Sequence, residues 1–227
     1  MSDHLRDSIA RTILGIVAAV FVFSLLICVP LRWINPPTSA FMLRHSLTSD
    51  IALQHKWVDL PQISPHLALA LVAAEDQKFP QHPGFDIESI IKALKSNQAK
   101  LRGASTISQQ LAKNLYLWPG RSLFRKALEA YFTLLIEWSW PKQRILEVYL
   151  NIVEFGPGVY GADAASRLYF YKPPSQLSRY QSALLAAVLP NPKKMSANQP
   201  SQYVQKRALE IQAEMKRLGG SDYISNL

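Results

Sequence analysis

One cysteine, Cys28, in 227 residues leaves this chain no intrachain disulfide and no cysteine-built zinc site. A second histidine is missing at ligand spacing from His82, so His82 reads as a loop hydrogen-bonder rather than a metal ligand. Acidic residues are in short supply. Asp and Glu number 16 against 25 Lys and Arg, a formal charge of +9. That surplus suits nucleic acid, an anionic membrane surface or a phosphorylated substrate, and charge alone does not choose among them. Charged residues are only 18% of the chain and hydrophobic ones 48%, which excludes a disordered protein. Sustained period-two alternation is absent after residue 64, and no internal repeat is visible. The soluble part is therefore predicted to be mainly α: one good-sized domain, with room for a small subdomain.

What the chain does have is a long apolar run. Thr12 to Leu31 carries no charge and is bounded by Arg11 and Arg32. At ~1.5 Å rise per residue it spans a hydrocarbon core of about 30 Å. A cleaved signal peptide would have a shorter apolar run and small residues before the cut, and Leu26-Ile27 is too bulky for a lipoprotein signal at Cys28. The run reads as a retained transmembrane anchor over 12–31, with 1–11 before it. Orientation stays open, because Arg6 and Arg11 on one side are matched by Arg32 and Arg44 on the other.

Asn35-Pro36-Pro37 breaks the helix on leaving the membrane. A connector follows to about residue 60, weakly patterned, which reads as short strands or a flexible approach. The domain proper is placed at 61–227. Ser64-Pro65 predicts an N-cap and a first-turn proline ahead of LALALVAAE. Asp86 caps a segment with Ile87, Ile90, Ile91 and Leu94 on one face, and Ser105 is read as the next cap. Further helices are predicted from Ser122 to about Ser139, from Pro141 to about Phe155, from Ser175 to before Pro190, and from Ser201 to Gly219-Gly220.

Chemistry concentrates in three stretches. In EDQKFPQHPGFD, Glu75 closes a very apolar helix beside Asp76, so burial and the neighbouring charge both push its carboxyl toward the protonated form. A general base or acid wants such tuning. Phe79, His82, Gly84 and Phe85 follow as an aromatic, glycine-bearing loop, read as a pocket wall. In STISQQLAKNLYL, Ser105, Gln109 and Lys113 recur at i, i+4, i+8, with Gln110 and Asn114 one step round and Ile107, Leu111 and Leu115 on another face. Amides beside an ammonium suit a substrate rich in hydroxyls, amides and phosphate, although spacing alone fits a solvated helix face as well. In RSLFRKALE, Arg121, Arg125 and Glu129 recur at the same spacing with Lys126 beside them. Arg125 and Glu129 suit a plain helical ion pair. Cations in a first turn oppose the helix dipole, however, and favour an anion site.

GPGVYGADAA, Gly156 to Ala165, lacks the Gly-Lys-Ser/Thr of a nucleotide loop and reads as a tight turn with close backbone packing. Ser89-Ile-Ile-Lys92 matches S-x-x-K and Ser196-Ala-Asn198 matches S-x-N, but no K-T-G accompanies them, so no acylating serine site is read here.

Taken together, in order and spacing from about Leu60 to Pro192, EDQKFPQHPGFD, GASTISQQLAKNLYL, RKALE and ILEVYLNIVEFGPGVYGADAAS resemble the motifs of the peptidoglycan glycosyltransferases of family 51. Ala162 departs mildly, where that family usually has a larger aliphatic residue. The resemblance implies a lysozyme-like α lobe with a small membrane-proximal jaw on an N-terminal transmembrane helix. It also implies a single-pass protein of the bacterial cytoplasmic (inner) membrane, with its domain on the periplasmic or outer face. The implied reaction is glycan polymerisation from lipid II with inversion, releasing undecaprenyl pyrophosphate. No transpeptidase domain is expected in the remaining chain.

By the same resemblance Glu75 is the base for the acceptor hydroxyl, and Lys113, Arg121 and Arg125 bind pyrophosphate with Lys126 beside them. Glu129 orients these cations or a bound metal, or assists the leaving group. Asp76, Phe79, His82, Gly84, Ser105, Gln109, Gln110 and Asn114 line the substrate. The motifs fix no cofactor, and a divalent cation, Mg2+ or Mn2+, is a candidate. The implied partners are lipid II, the growing glycan and the bilayer, with cell-division proteins as candidates and no nucleic acid. Two rivals share parts of this inventory. A lytic enzyme of the same fold needs one acid and no cation cluster, and a tethered scaffold needs neither carboxylate.

Overall fold

The structure, a computed structural model, describes residues 2–89, 91, 105–225 and 227. Helix α1 (Ser2–Cys28) runs on into a 3-10 turn at Val29–Arg32. It is exposed along nearly its whole length and is long and apolar enough to cross a membrane. At its foot Ser24 and Cys28 are buried against the rest of the protein.

Within the stretch to residue 60 that reads as short strands or a flexible approach, residues 40–60 fold onto the domain and include one short strand. Helix α2 (Ala40–Thr48) is capped by Ser39, whose hydroxyl accepts from the Met42 amide at 3.2 Å. Strand β1 (Gln54–His55) pairs in parallel with a strand from the far side of the sequence. The fixing residue is Asn151. Its side chain accepts from the Val58 amide and donates to the Val58 carbonyl, both at 2.9 Å, a pairing no local pattern announces.

The centre of the fold is α3 (Pro65–Glu75), capped by Ser64 and buried from Leu67 to Ala73. A helix apolar on every side must lie inside. Around it pack α8 (Arg179–Val188) and α9 (Gln202–Arg217). A second group joins α4 (Ile107–Tyr116), α5 (Leu123–Ser139) and α6 (Lys142–Ile152). Strands β2 (Glu154–Gly156) and β3 (Val159–Tyr160) complete a three-stranded sheet of order β1-β3-β2. Helix α7 (Ala162–Phe170) follows, and a short α10 (Asp222–Ser225) lies beyond the Gly219-Gly220 stop.

The mainly-α expectation holds, and the expected starts at Ser64, Ser122 and Ser201 are the observed caps. Three boundaries move. The cap after the first motif is Thr106, not Ser105, because Thr106-x-x-Gln109 closes a capping box. The helix from Pro141 ends at Ile152, and Phe155 lies in a strand. Ser178, with its own capping box to Gln181, starts α8, while Ser175 sits in a 3-10 turn. Asp86 does cap residues 87–89, accepting from the Ser89 amide at 3.0 Å. Ile90, Leu94, Gly103 and the Lys92 of S-x-x-K lie outside the described residues. The GPGVYGADAA turn is as tight as expected: at Gly161 (φ +83°) a Cβ would sit 2.4 Å from the Asn151 carbonyl oxygen. Among the aromatic and aliphatic positions of α5 and its end, Phe132, Leu135 and Trp140 are core, while Trp138 is 75% exposed.

Candidate active site

The C-terminal end of α3 delivers Glu75, half-buried, to a cleft of about 320 Å³. Its walls include Lys78 and Asp86 from the following loop, Ser105 and Thr106 ahead of α4, and Arg207 and Glu214 from α9. Burial raises the Glu75 carboxyl above its ordinary range and Asp76 adds to this, while Gln110, Arg207 and Lys113 oppose it. The net direction is the one a proton acceptor working near neutrality requires.

Gln110 is the direct partner. Its Nε2 donates to Glu75 Oε2 at 2.7 Å, and its Oε1 accepts from the Tyr149 hydroxyl at 2.9 Å. Asp76 turns the other way. Its carboxylate accepts from His82 Nε2 at 2.8 Å and from the Ile107 amide at 2.9 Å, at the first turn of α4. An anion at a helix N-terminus satisfies an otherwise orphan amide and complements the dipole. His82 Nδ1 accepts from the Gly84 amide at 3.1 Å, which makes Nε2 the donor to Asp76. This chain of contacts locks α3, the loop and α4 together.

The loop walls the cleft through Lys78 and Asp86, while Phe79, His82 and Gly84 lie beneath it. Phe79 is wholly buried under the Lys142 ammonium, which lies 4.5 Å from its ring centroid, and His82 is buried too. Gly84 (φ +92°) passes so close to α5 that a Cβ would lie 2.8 Å from Thr133 Cγ2. All three are scaffold beneath the site. Gln109 and Asn114 also leave the expected substrate face. Both are buried, and Gln109 Oε1 is committed to the Thr106 amide at 3.0 Å. The capping box claims the third residue of the helix, which is why Gln109 parts from Lys113 despite their i, i+4 spacing. Gln110 and Lys113 are the residues of α4 that act on Glu75, the first by a hydrogen bond and the second by its charge.

Lys113 is half-buried. Burial pulls its ammonium below the ordinary lysine range, Arg125 and Lys126 push the same way, and Glu129 and Glu75 oppose. Glu129 itself is buried and doubly held, its two oxygens each 2.5 Å from Arg125 Nη1 and Lys126 Nζ. Arg125 also donates through Nε to the Gly120 carbonyl at 2.8 Å, and Lys126 reaches Ser105 Oγ at 3.5 Å. Arg121 stands exposed just before the Ser122 cap. Among the described residues, neither Lys113 nor Arg121 has a carboxylate within ion-pair distance. The arrangement thus separates two cations locked to a carboxylate from two available to an incoming anion.

No group of three or more His, Cys, Asp or Glu converges as a metal-binding set among the described residues. Both Glu129 oxygens face cations, which leaves that carboxylate unsuited to hold Mg2+ or Mn2+.

Sequence reasoning missed Arg207, Glu214 and Tyr149. On α9 the spacing of Arg207, Glu210 and Glu214 looks like a solvated charged face, and only the packing of α9 against α3 turns part of it into the cleft. Tyr149 lies within an apolar stretch, and nothing local marks it as a partner of Gln110.

Comparison with known proteins shows which family the chain is similar to. The family described as Transglycosylase matches residues 44–216. The biosynthetic peptidoglycan transglycosylase of Shewanella oneidensis is 50% identical over 216 residues, covering 93% of this chain and 91% of its own. That of Aeromonas hydrophila is 50% identical over 224 residues, 95% of each chain. That of Pseudomonas fluorescens is 52% identical over 213 residues, covering 91% and 89%.

Proposed function

The chain belongs to the transglycosylase family, a peptidoglycan glycosyltransferase of the biosynthetic kind, and we propose that it polymerises glycan from lipid II with Glu75 as the general base. The observation that carries this reading is the pairing, across one site, of a carboxyl raised by burial with a cation cluster that holds charge in reserve. Glu75 takes the proton from the acceptor sugar 4-hydroxyl as that oxygen attacks the anomeric carbon of the growing chain. The bond to pyrophosphate breaks on the opposite face, so the centre inverts.

Lys113 and Arg121 receive the pyrophosphate. Lys113 is the better placed to gain from it, since an ammonium desolvated without a full counter-charge binds an arriving anion more strongly than a solvated one. Arg125 and Lys126 contribute field from fixed positions, and Glu129 positions them. A cytoplasmic-membrane location with the domain on the outer face follows from this reading, because α1 fits a membrane anchor and the substrate is lipid-linked. Lipid II, the growing glycan and the bilayer are then the partners, and cell-division proteins are candidates.

The test is direct. Purified full-length protein is given labelled lipid II and, separately, finished glycan. Polymer from the first and no cleavage of the second is expected; the reverse would identify a lytic enzyme. Glu75→Gln should lower polymerisation by about two to four decades, the usual worth of a general base, with folding intact. Near-normal turnover in that variant would remove Glu75 from the mechanism.

A further inference from the structure

We infer that Tyr149 is a positioning residue for proton transfer: its hydroxyl fixes which way the Gln110 amide faces, and so keeps a donor on the Glu75 carboxylate. This rests on the reading of Glu75 as the base. Tyr149, on α6, is wholly buried, and its hydroxyl donates to Gln110 Oε1 at 2.9 Å. The other end of the same amide, Nε2, donates to Glu75 Oε2 at 2.7 Å and more distantly to the Ser105 carbonyl at 3.4 Å. A primary amide has one oxygen and one nitrogen end, and rotation by half a turn exchanges them. Reversed, Gln110 would bring a carbonyl oxygen against the carboxylate, so the orientation decides whether Glu75 is stabilised or repelled as an anion.

Tyr149 is suited to enforce the choice. Burial, with Glu75 and Asp76 nearby, pushes its phenol well above the ordinary tyrosine range, so it remains a donor at any working pH. A phenol that keeps its proton, and whose hydroxyl has no other hydrogen-bond partner among the described residues, gives that proton to the amide's oxygen, which leaves the nitrogen for Glu75. The other charges facing Glu75 are Lys113 on α4, Arg207 and Glu214 on α9, the adjacent Asp76, and Lys78 and Asp86 on the cleft rim. Removing one hydroxyl changes the charge of none of them.

The experiment is the pH dependence of kcat/KM for lipid II polymerisation by the full-length enzyme and its Tyr149→Phe variant. The carboxylate loses its donor whenever the amide turns, so its proton is held more tightly. The acid limb should move to higher pH by roughly half to one unit, with the loss of activity greatest at low pH and shrinking as pH rises. Gln110→Leu, which removes the donor outright, should shift the limb at least as far. Adding Tyr149→Phe to it should shift the limb no further, since the hydroxyl acts only through the amide. A loss of equal factor at every pH, or an acid limb left in place in both single variants, would overturn the inference. If Tyr149→Phe does not fold, a Gln110→Leu limb that stays in place also overturns it. Failure of the underlying reading looks different: Glu75→Gln would then keep its activity, whereas an inactive Glu75→Gln beside an unmoved limb sinks the Tyr149 role alone.

Discussion

Glu75 and Lys113 are each displaced from their ordinary ionisation, and toward one another. In the roles proposed for them, the raised carboxyl must lose its proton to act as a base, so activity falls as pH drops through a value above the ordinary 4.5. The lowered ammonium must keep its proton to hold pyrophosphate, so activity falls again as pH rises through a value below the ordinary 10.5. The kcat/KM profile should therefore be a bell narrower than free side chains would give, and Lys113→Arg should move its alkaline limb upward because a guanidinium stays charged. An alkaline limb that Lys113→Arg leaves in place would assign it to another group. Glu129 is a different kind of residue. Its buried carboxylate balances Arg125 and half-exposed Lys126, so Glu129→Gln leaves a buried guanidinium without its counter-charge. Breaking a buried pair in this way costs about 3 kcal/mol or more. For a chain of this size that is a fall in Tm of roughly 6–12 °C. An unchanged Tm, with polymerisation lost, would make Glu129 a participant in the chemistry rather than a holder of cations.

Elements in this fold are joined where a side chain or backbone of one satisfies the end of another. Gly161 is the plainest case. It caps α7 at φ +83°, and its amide donates to the Val153 carbonyl at 2.9 Å while its α-carbon lies against Asn151. Gly161→Ala adds both a disfavoured backbone angle and a clash with a carbonyl that cannot swing away, so a loss of about 2–4 kcal/mol is expected in a denaturant melt. A change within about 0.5 kcal/mol would show that the turn can relax. The sequence announces such a turn because glycine spacing is a local property. It likewise announces α3, whose burial follows from an unbroken apolar run, and the caps at Ser64, Ser122 and Ser201. It is silent where the deciding contact is distant in the chain. Asn151 holding Val58, Asp76 holding the start of α4, and Tyr149 orienting Gln110 all join residues far apart, and none leaves a periodic trace. The candidate site divides in the same way: Glu75, Lys113 and the Arg125–Lys126–Glu129 group stand out by charge in apolar surroundings, while the burial of Gln109, Asn114, Phe79 and His82 follows from packing that composition does not show.

At the scale of the whole molecule, one helix ties the anchor to the chemistry. Helix α6 carries Tyr149 near its end and Arg144 near its start, and Arg144 grips the exit of α1. Its Nε donates to the Leu31 carbonyl at 3.0 Å and its Nη2 to the Ile34 carbonyl at 2.9 Å. Its Nη1 is paired with Glu147 Oε2 at 2.6 Å, and the guanidinium lies over Trp57 at 5.2 Å. Two further bonds close the joint: Arg32 Nη1 to the Ser139 carbonyl at 2.8 Å, and Trp140 Nε1 to the Cys28 carbonyl at 3.1 Å. Carbonyls at a helix end need partners, and here the domain supplies them, so the anchor leaves the domain at a set angle instead of on a slack tether. With the lipid-linked substrate and membrane-inserted α1 proposed above, that angle would set the height of Glu75 and Lys113 above the lipid surface. Arg144→Ala unties two carbonyls without touching the cleft. Polymerisation of lipid II in vesicles should fall by up to about a hundredfold, the cost that a misplacement of ~1 Å can carry. In detergent, with a short-chain donor that needs no fixed height, activity should stay within about twofold. Arg144→Lys should resemble Arg144→Ala, because an ammonium cannot reproduce the planar fork that reaches Leu31, Ile34 and Glu147 together. Equal losses in vesicles and detergent would mean that Arg144 serves the fold alone, and unchanged activity in both would mean that the angle of the anchor does not matter to the reaction.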